Sequence, residues 1–193
     1  MANVHQGVLE DSAASPARYV VMGVCGTGKS EIGTRLARKL SYRFLEGDAF
    51  HPPANVQKMA AGIPLDDDDR RDWLLALAAE IGIARTESQG LVLSCSALKR
   101  SYRDILRQGD PELIFIHLTG ERTLIEERMR VRKDHFMPVS LLDSQLRDLQ
   151  PLDAQERGMA IDIRLPPDAI VECVTRTPRT EIGSLRPDAF DGV

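Results

Sequence analysis

Cysteine is scarce and scattered in this chain. The three in 193 residues, Cys25, Cys95 and Cys173, lack the paired spacing of a zinc site, and their odd number argues against a disulfide framework. A reducing interior, the cytoplasm by default, is the expected setting. Cationic blocks are also missing. Lys and Arg number 25 against 29 Asp and Glu, for a formal charge of -4, and no basic stretch dominates, so nucleic acid is not an expected partner. No apolar run is long enough for a membrane span, and no membrane partner is expected. Residues 1–17 are mixed and polar, without the basic-then-apolar order of a secretory signal, and read as a flexible leader. There is no internal repeat and no low-complexity block. With 42% hydrophobic residues the chain can still build a core, and its length fits one domain, expected over residues 18–175.

What is present centres on Gly23-Val24-Cys25-Gly26-Thr27-Gly28-Lys29-Ser30, which fits the P-loop pattern G-x-x-x-x-G-K-[ST]. An apolar run, residues 19–22, precedes it and reads as a buried strand. Apolar residues at 32, 36, 37 and 40 follow it at helical spacing. The motif therefore lies between a strand and a helix N-terminus, where unpaired N–H groups and the positive dipole end favour phosphate. Gly23, Gly26, Thr27 and Gly28 shape the cradle, Lys29 can reach the outer phosphates and Ser30 can ligate Mg²⁺. The alternative is a glycine-rich turn with a solvated lysine.

Further strands are expected at residues 43–45, 91–95, 113–118 and 160–163, each short and nearly all apolar. Helices are expected at 55–61, in a long stretch after the aspartate run 66–69, at 96–107, 121–132, 139–149 and 167–175. Alternation of strand and helix predicts a five-stranded parallel sheet covered by helices on both faces, an α/β three-layer sandwich. Residues 130–138 are charged and then aromatic, and read as an exposed, semi-mobile segment. Residues 176–193 are polar, with two prolines and no period, and read as a weakly ordered tail.

The pattern names a nucleotide but not the phosphate acceptor. There is no Asn-Lys-x-Asp base-recognition loop of a GTPase switch, and the strand at 91–95 ends in Ser94-Cys95-Ser96 without the carboxylate of an ATPase motor. Asp48, past the end of the second strand, is placed to align an acceptor hydroxyl, take its proton or hold Mg²⁺ through water; the competing role is a turn or cap. His51 lies three residues on, at the ligand end of the sheet. Arg70, after Asp66-Asp67-Asp68-Asp69, is either a ligand for an anionic acceptor or part of a solvated charge run. Lys99, Arg103 and Arg107 have helical spacing and can present a basic face to that acceptor, or to water. His117 falls in a strand and reads as a core or edge residue; His135 belongs to the charged segment. Arg128 and Arg132, four apart, could meet the same phosphates from a closing lid.

Taken together, these residues resemble the small P-loop gluconokinases, a family similar in fold to shikimate and adenylate kinases. The likeness runs from about residue 19 to 175. It is carried by Met22 through Ser30, Glu46-Gly47-Asp48-Ala49-Phe50-His51-Pro52, Asn55-Val56-Gln57-Lys58-Met59, the stretch Gly62 to Arg70, Trp73-Leu74, Cys95 to Arg103, His135-Phe136-Met137-Pro138 and Leu141-Leu142-Asp143-Ser144-Gln145. The resemblance implies a nucleoside-monophosphate-kinase-like fold with a lid at about 128–138. It implies transfer of a phosphoryl group from Mg·ATP to the 6-hydroxyl of D-gluconate, in a cytoplasmic and often dimeric protein. It implies that Asp48 meets that hydroxyl, that His51, Arg70 and Lys99 surround the acceptor, and that Arg128 and Arg132 belong to the lid. Arg103 and His135 are taken as further acceptor contacts, and Lys29, Asp48, Arg128 and Arg132 as the catalytic set. Two positions depart from the family pattern: Glu46 stands where Asp is usual, and Gln150 where Glu is usual. On the residues alone, two other readings stay open. One is a same-fold kinase for another small anion, such as shikimate or a nucleoside monophosphate. The other is a nucleotide-binding regulatory protein, against which intact Lys29, Ser30, Asp48 and Arg128 argue.

Overall fold

The computed structural model describes residues 15–131 and 139–183. Among these, the strands β1 (Arg18–Met22), β2 (Arg43–Glu46), β3 (Leu91–Ser94), β4 (Ile114–Thr119) and β5 (Gly158–Asp162) form one sheet in the order β2-β3-β1-β4-β5. Every pairing is parallel, and Val20 of β1 lies in register with Leu93 and Phe115. The helices are α1 (Lys29–Leu40), α2 (Pro53–Ala60), α3 (Asp67–Thr86), α4 (Arg100–Arg107), α5 (Arg122–Val131), α6 (Val139–Asp148) and α7 (Pro167–Arg176). No helix among the described residues is long and apolar enough to cross a membrane.

Alternation along the strands splits the core in two. Tyr19, Val21, Val92, Ile114 and Ile116 point to one face, where Ile32 and Leu36 of α1 and Ile170 and Val174 of α7 cover them. Val20, Met22, Leu91, Leu93 and Phe115 point to the other, under Trp73, Leu74, Leu77 and Ile81 of α3 and Leu106 of α4. The result is the three-layer sandwich expected from apolar strands alternating with helices. The aspartate run starts α3 with a reciprocal cap. Asp66 Oδ1 accepts the Asp69 N–H at 2.8 Å, and Asp69 Oδ2 accepts the Asp66 N–H at 3.1 Å.

Two expectations are corrected. The helix expected from residue 96 begins at Arg100, because Ala97, fully buried, turns the chain with a positive φ of 43°. The chain after residue 175 is not loose at its start. Ile182 is buried in the α1/α7 core, Arg179 Nη1 donates to the Ser15 carbonyl at 2.7 Å, and Arg157 Nη2 donates to the Arg179 carbonyl at 3.0 Å. Residues 184–193 lie outside the described residues. Of the two departures, Gln150 accepts the Arg100 N–H at 2.7 Å and so serves the first turn of α4, while Glu46 ends β2 beside Ser94.

His117 is a core residue of β4, 3% exposed, and its Nε2 has no hydrogen-bond partner. Burial, reinforced by Arg103, pushes its pKa from 6.5 down to about 4. The unfolded chain therefore takes up a proton that the folded chain refuses, and stability falls as pH drops from 6.5 towards 4, by on the order of 3 kcal/mol. His51, also lowered by burial, adds to the same window. His117→Gln is expected to reduce the slope of urea midpoint against pH in that window. An unchanged slope would remove His117 from the account.

Candidate active site

The carboxyl ends of β1, β2 and β3 converge on one cleft, as parallel α/β sheets dictate. Between β1 and α1, the loop from Gly23 to Ser30 turns back on itself. Thr27 Oγ1 donates to the Val24 carbonyl at 2.8 Å, and Lys29 Nζ reaches the same oxygen at 3.0 Å. Gly28, at φ 91°, is the N-cap of α1 and offers no capping side chain; a Cβ there would meet nothing within 4 Å. The first helical bond is that of the Ile32 N–H with the Gly28 carbonyl. The N–H groups of Lys29, Ser30 and Glu31 thus form the open N-terminal set that binds anions. This open cradle, with Lys29 beside it, fits a polyphosphate. Met129 and Ile125 of α5 pack over Gly26, and the Cys25 and Met129 sulfurs are 3.7 Å apart.

Opposite the loop, β2 runs into a single 3₁₀ turn, Gly47–Phe50, that carries Asp48. Gly47 is pressed against the Ser94 carbonyl of β3, so no side chain fits at that position. Trp73 of α3 fixes the turn from the other side. Its Nε1 donates to the Gly47 carbonyl at 2.7 Å, and its ring stacks on His51 with centroids 4.1 Å apart and planes 17° off parallel. Asn55 Nδ2 donates to the Asp69 carbonyl at 2.6 Å and lies 3.5 Å from His51 Nδ1. Burial lowers the His51 pKa, with Asp48 pulling less strongly the other way, so the ring is neutral at pH 7.

The structure brings Lys29, Asp48, His51 and Arg70 to the wall of this one cleft, with Cys25 and Trp73. Arg70 is only 8% exposed. Its Nη1 donates to the Tyr102 hydroxyl at 3.2 Å and stands 3.7 Å from Asp148. It also lines an adjoining cleft that holds Lys99, Asp67 and Asp148. There Lys99 Nζ donates to Asp67 at 2.7 Å, and the Tyr102 hydroxyl donates to the same carboxylate. The Lys99 bond holds the Asp67 carboxyl below its usual range, and raises Lys99 in return. Lys99 is therefore a neighbour of Arg70 across Tyr102 and does not line the cleft of Lys29 and Asp48.

Arg103 is a correction. It is fully buried, its guanidinium spent on Glu156 and on backbone carbonyls, so it presents nothing to an acceptor. Arg103 and Arg107 do share a face of α4, but that face grips Glu156, while Lys99, the N-cap of α4, pairs with Asp67 instead. Arg128 is turned to the carboxyl end of β5, where Nη2 donates to the Ile163 carbonyl at 2.8 Å, outside the cleft of Lys29 and Asp48. Arg132 and His135, with most of the expected lid, lie outside the described residues. Among the described residues, no group of three or more His, Cys, Asp or Glu side chains is placed to hold a metal ion. Ser30 sits in the first turn of α1, beside the open N–H groups.

Trp73, Tyr102 and Gln145 stand in segments that carry the family likeness, but the sequence assigns none of them a part in the site. Helical periodicity buries Trp73 but cannot show that its Nε1 reaches back 26 residues to the Gly47 carbonyl. The available signal was a lone tryptophan, which when buried usually requires a partner for its N–H.

No protein-family model matches the chain. It is 45% identical over 155 residues to the thermoresistant gluconokinase of Escherichia coli, covering 79% of this chain and 88% of that protein. Among solved structures, it superposes on a gluconokinase from Sinorhizobium meliloti with a TM-score of 0.73 at 48% identity, covering 82% of this chain and 89% of the other. An unliganded sugar kinase from Janibacter gives a TM-score of 0.81 at 42% identity, over 86% and 95%.

Proposed function

The chain belongs to the gluconokinase family, and we propose on that footing that it transfers the γ-phosphoryl group of ATP to the 6-hydroxyl of D-gluconate, giving 6-phospho-D-gluconate and ADP. The observation that carries the reading is the single cleft in which Lys29 of the phosphate cradle, Asp48 and the buried Arg70 meet. Phosphoryl transfer asks the protein for positioning and for charge stabilisation more than for covalent chemistry. The α1 N-terminus and Lys29 hold the phosphates. Asp48 orients the acceptor hydroxyl and accepts its proton. Arg70, kept in place by Tyr102 and Asp148, binds the carboxylate end of the sugar acid, and neutral His51, stacked on Trp73, offers a hydrogen bond without adding charge. Magnesium, when bound, neutralises charge on the phosphate oxygens; Ser30 is the residue that would hold it.

ADP release with Mg·ATP tests the reading, using D-gluconate, shikimate, glucose and AMP as acceptors. Turnover on gluconate alone is expected. Turnover on another acceptor would keep the phosphoryl-transfer argument and overturn the assignment of Arg70.

A further inference from the structure

Gln145 lies on α6, far along the chain from the phosphate loop, yet its Oε1 accepts the backbone N–H of Cys25 at 2.6 Å. A backbone N–H can only donate, so the prong facing it is the carbonyl oxygen and the NH₂ prong points away from Cys25. Cys25 is the third residue of the phosphate loop and is itself buried, and this half-buried bond gives its N–H an acceptor. Gln145, half-buried, projects from a well-packed turn of α6. Leu141 and Leu142 beside it are 4% and 0% exposed, Leu142 belongs to the same core as Val24 and Cys25, and Ser144 Oγ closes onto the Leu141 carbonyl at 2.9 Å. Gln145 and Cys25 both line the cleft of Lys29 and Asp48, so this contact sits at the acceptor side of the loop, not at its Ser30 side.

We propose that Gln145 is a positioning residue for phosphoryl transfer. It fixes the acceptor side of the phosphate loop through the Cys25 N–H and sets the distance between that side and Asp48. The contact persists when nucleotide fills the loop, because the phosphates take the N–H groups at the α1 end. This inference rests on the kinase reading above and deepens it. The loop's hold on ATP comes mainly from Lys29 and the α1 N-terminus, which Gln145 does not touch. Its loss therefore costs alignment more than affinity, and a small misplacement of reacting groups costs about 10²-fold in rate.

The test compares Gln145→Met, which keeps the length and removes the acceptor, with Gln145→Glu, which keeps an acceptor for the Cys25 N–H. Three quantities are measured on each folded protein: steady-state kinetics with gluconate and ATP, the thermal shift on binding AMP-PNP with Mg²⁺, and hydrogen exchange at the Cys25 amide with and without AMP-PNP. For Gln145→Met, kcat is expected to fall about 10²-fold with KM for ATP and the AMP-PNP shift nearly unchanged, and the Cys25 amide to exchange faster in both states. Gln145→Glu is expected to restore slow exchange at Cys25. Unaltered exchange at Cys25 in Gln145→Met, or a rise in KM for ATP with kcat preserved, would overturn the proposal. If the wild-type protein itself failed to phosphorylate gluconate, the reading of function would fall instead, and the exchange and AMP-PNP measurements would still decide whether Gln145 sets the loop.

Discussion

Asp48→Asn is expected to lower kcat by about 10²- to 10⁴-fold, the range associated with a positioned acid or base, while AMP-PNP still binds. The substitution is nearly isosteric, and the surrounding turn is fixed by groups other than the carboxylate. Gly47 is pressed against β3, and Trp73 Nε1 holds the Gly47 carbonyl at 2.7 Å. Asparagine should therefore occupy the same place, and the change removes a proton acceptor and a negative charge rather than a fold element. The phosphate cradle, built from α1 and Lys29 on the other side of the cleft, is untouched. A steady-state assay with saturating gluconate and ATP, set beside an AMP-PNP thermal shift, separates the two. Full turnover in the variant would show that the acceptor hydroxyl needs no base at this position. A lost AMP-PNP shift would show that Asp48 serves nucleotide binding instead.

Much of the fold was legible because its signals are local. Apolar strands of four to six residues alternate with amphipathic helices, and a glycine-rich loop marks the first crossover, so sheet class and layers follow from spacing alone. The strand order puts β1 in the centre, between β3 and β4, and this too is what places the phosphate loop where ligands bind. The misreadings arose where a long-range contact decides the outcome. Residues 96–99 carry a helical pattern, yet Ala97 takes a left-handed turn and the helix waits until Arg100. Residues 176–183 carry no period at all, yet Ile182 finds a core and Arg179 a carbonyl 164 residues away. At the site, the residues proposed to meet phosphate or acceptor, and Trp73, Tyr102 and Gln145 beside them, all stand in recognisable segments. What the segments do not show is that Trp73, Tyr102 and Gln145 make contacts across 26, 32 and 120 residues, and no spacing rule reaches that far.

Arg103 shows what such a long-range contact is worth. Its Nε and Nη2 grip the two oxygens of Glu156 at 2.7 and 2.6 Å, Nη1 serves the carbonyls of Ala97, Leu98 and Gln150 at 3.2, 3.1 and 3.0 Å, and Nη2 also reaches Pro151 at 3.2 Å. Arg107 and the Asp153 N–H complete the shell of Glu156. Burial by itself would raise the Glu156 pKa; the Arg103 fork, the Asp153 N–H and Arg107 outweigh it and hold the carboxyl down to about 2. The contribution of this cluster is therefore present above pH 4.5 and lost as pH falls from there towards 2, a window that begins where that of His117 is ending. Arg103→Met removes the charge but keeps an unbranched side chain, and leaves a buried carboxylate and several carbonyls short of donors. It is expected to cost about 3–5 kcal/mol at pH 7, read as a fall in the urea midpoint. Arg103→Lys should recover only part of this, because a single ammonium cannot reproduce the fork. At a low temperature where Arg103→Lys is folded, its KM for gluconate should stay close to that of the wild type. The opposite pattern, a raised KM with unchanged stability, would return Arg103 to the acceptor site where the sequence first placed it. A fully buried guanidinium with every N–H already bonded leaves no donor for that role.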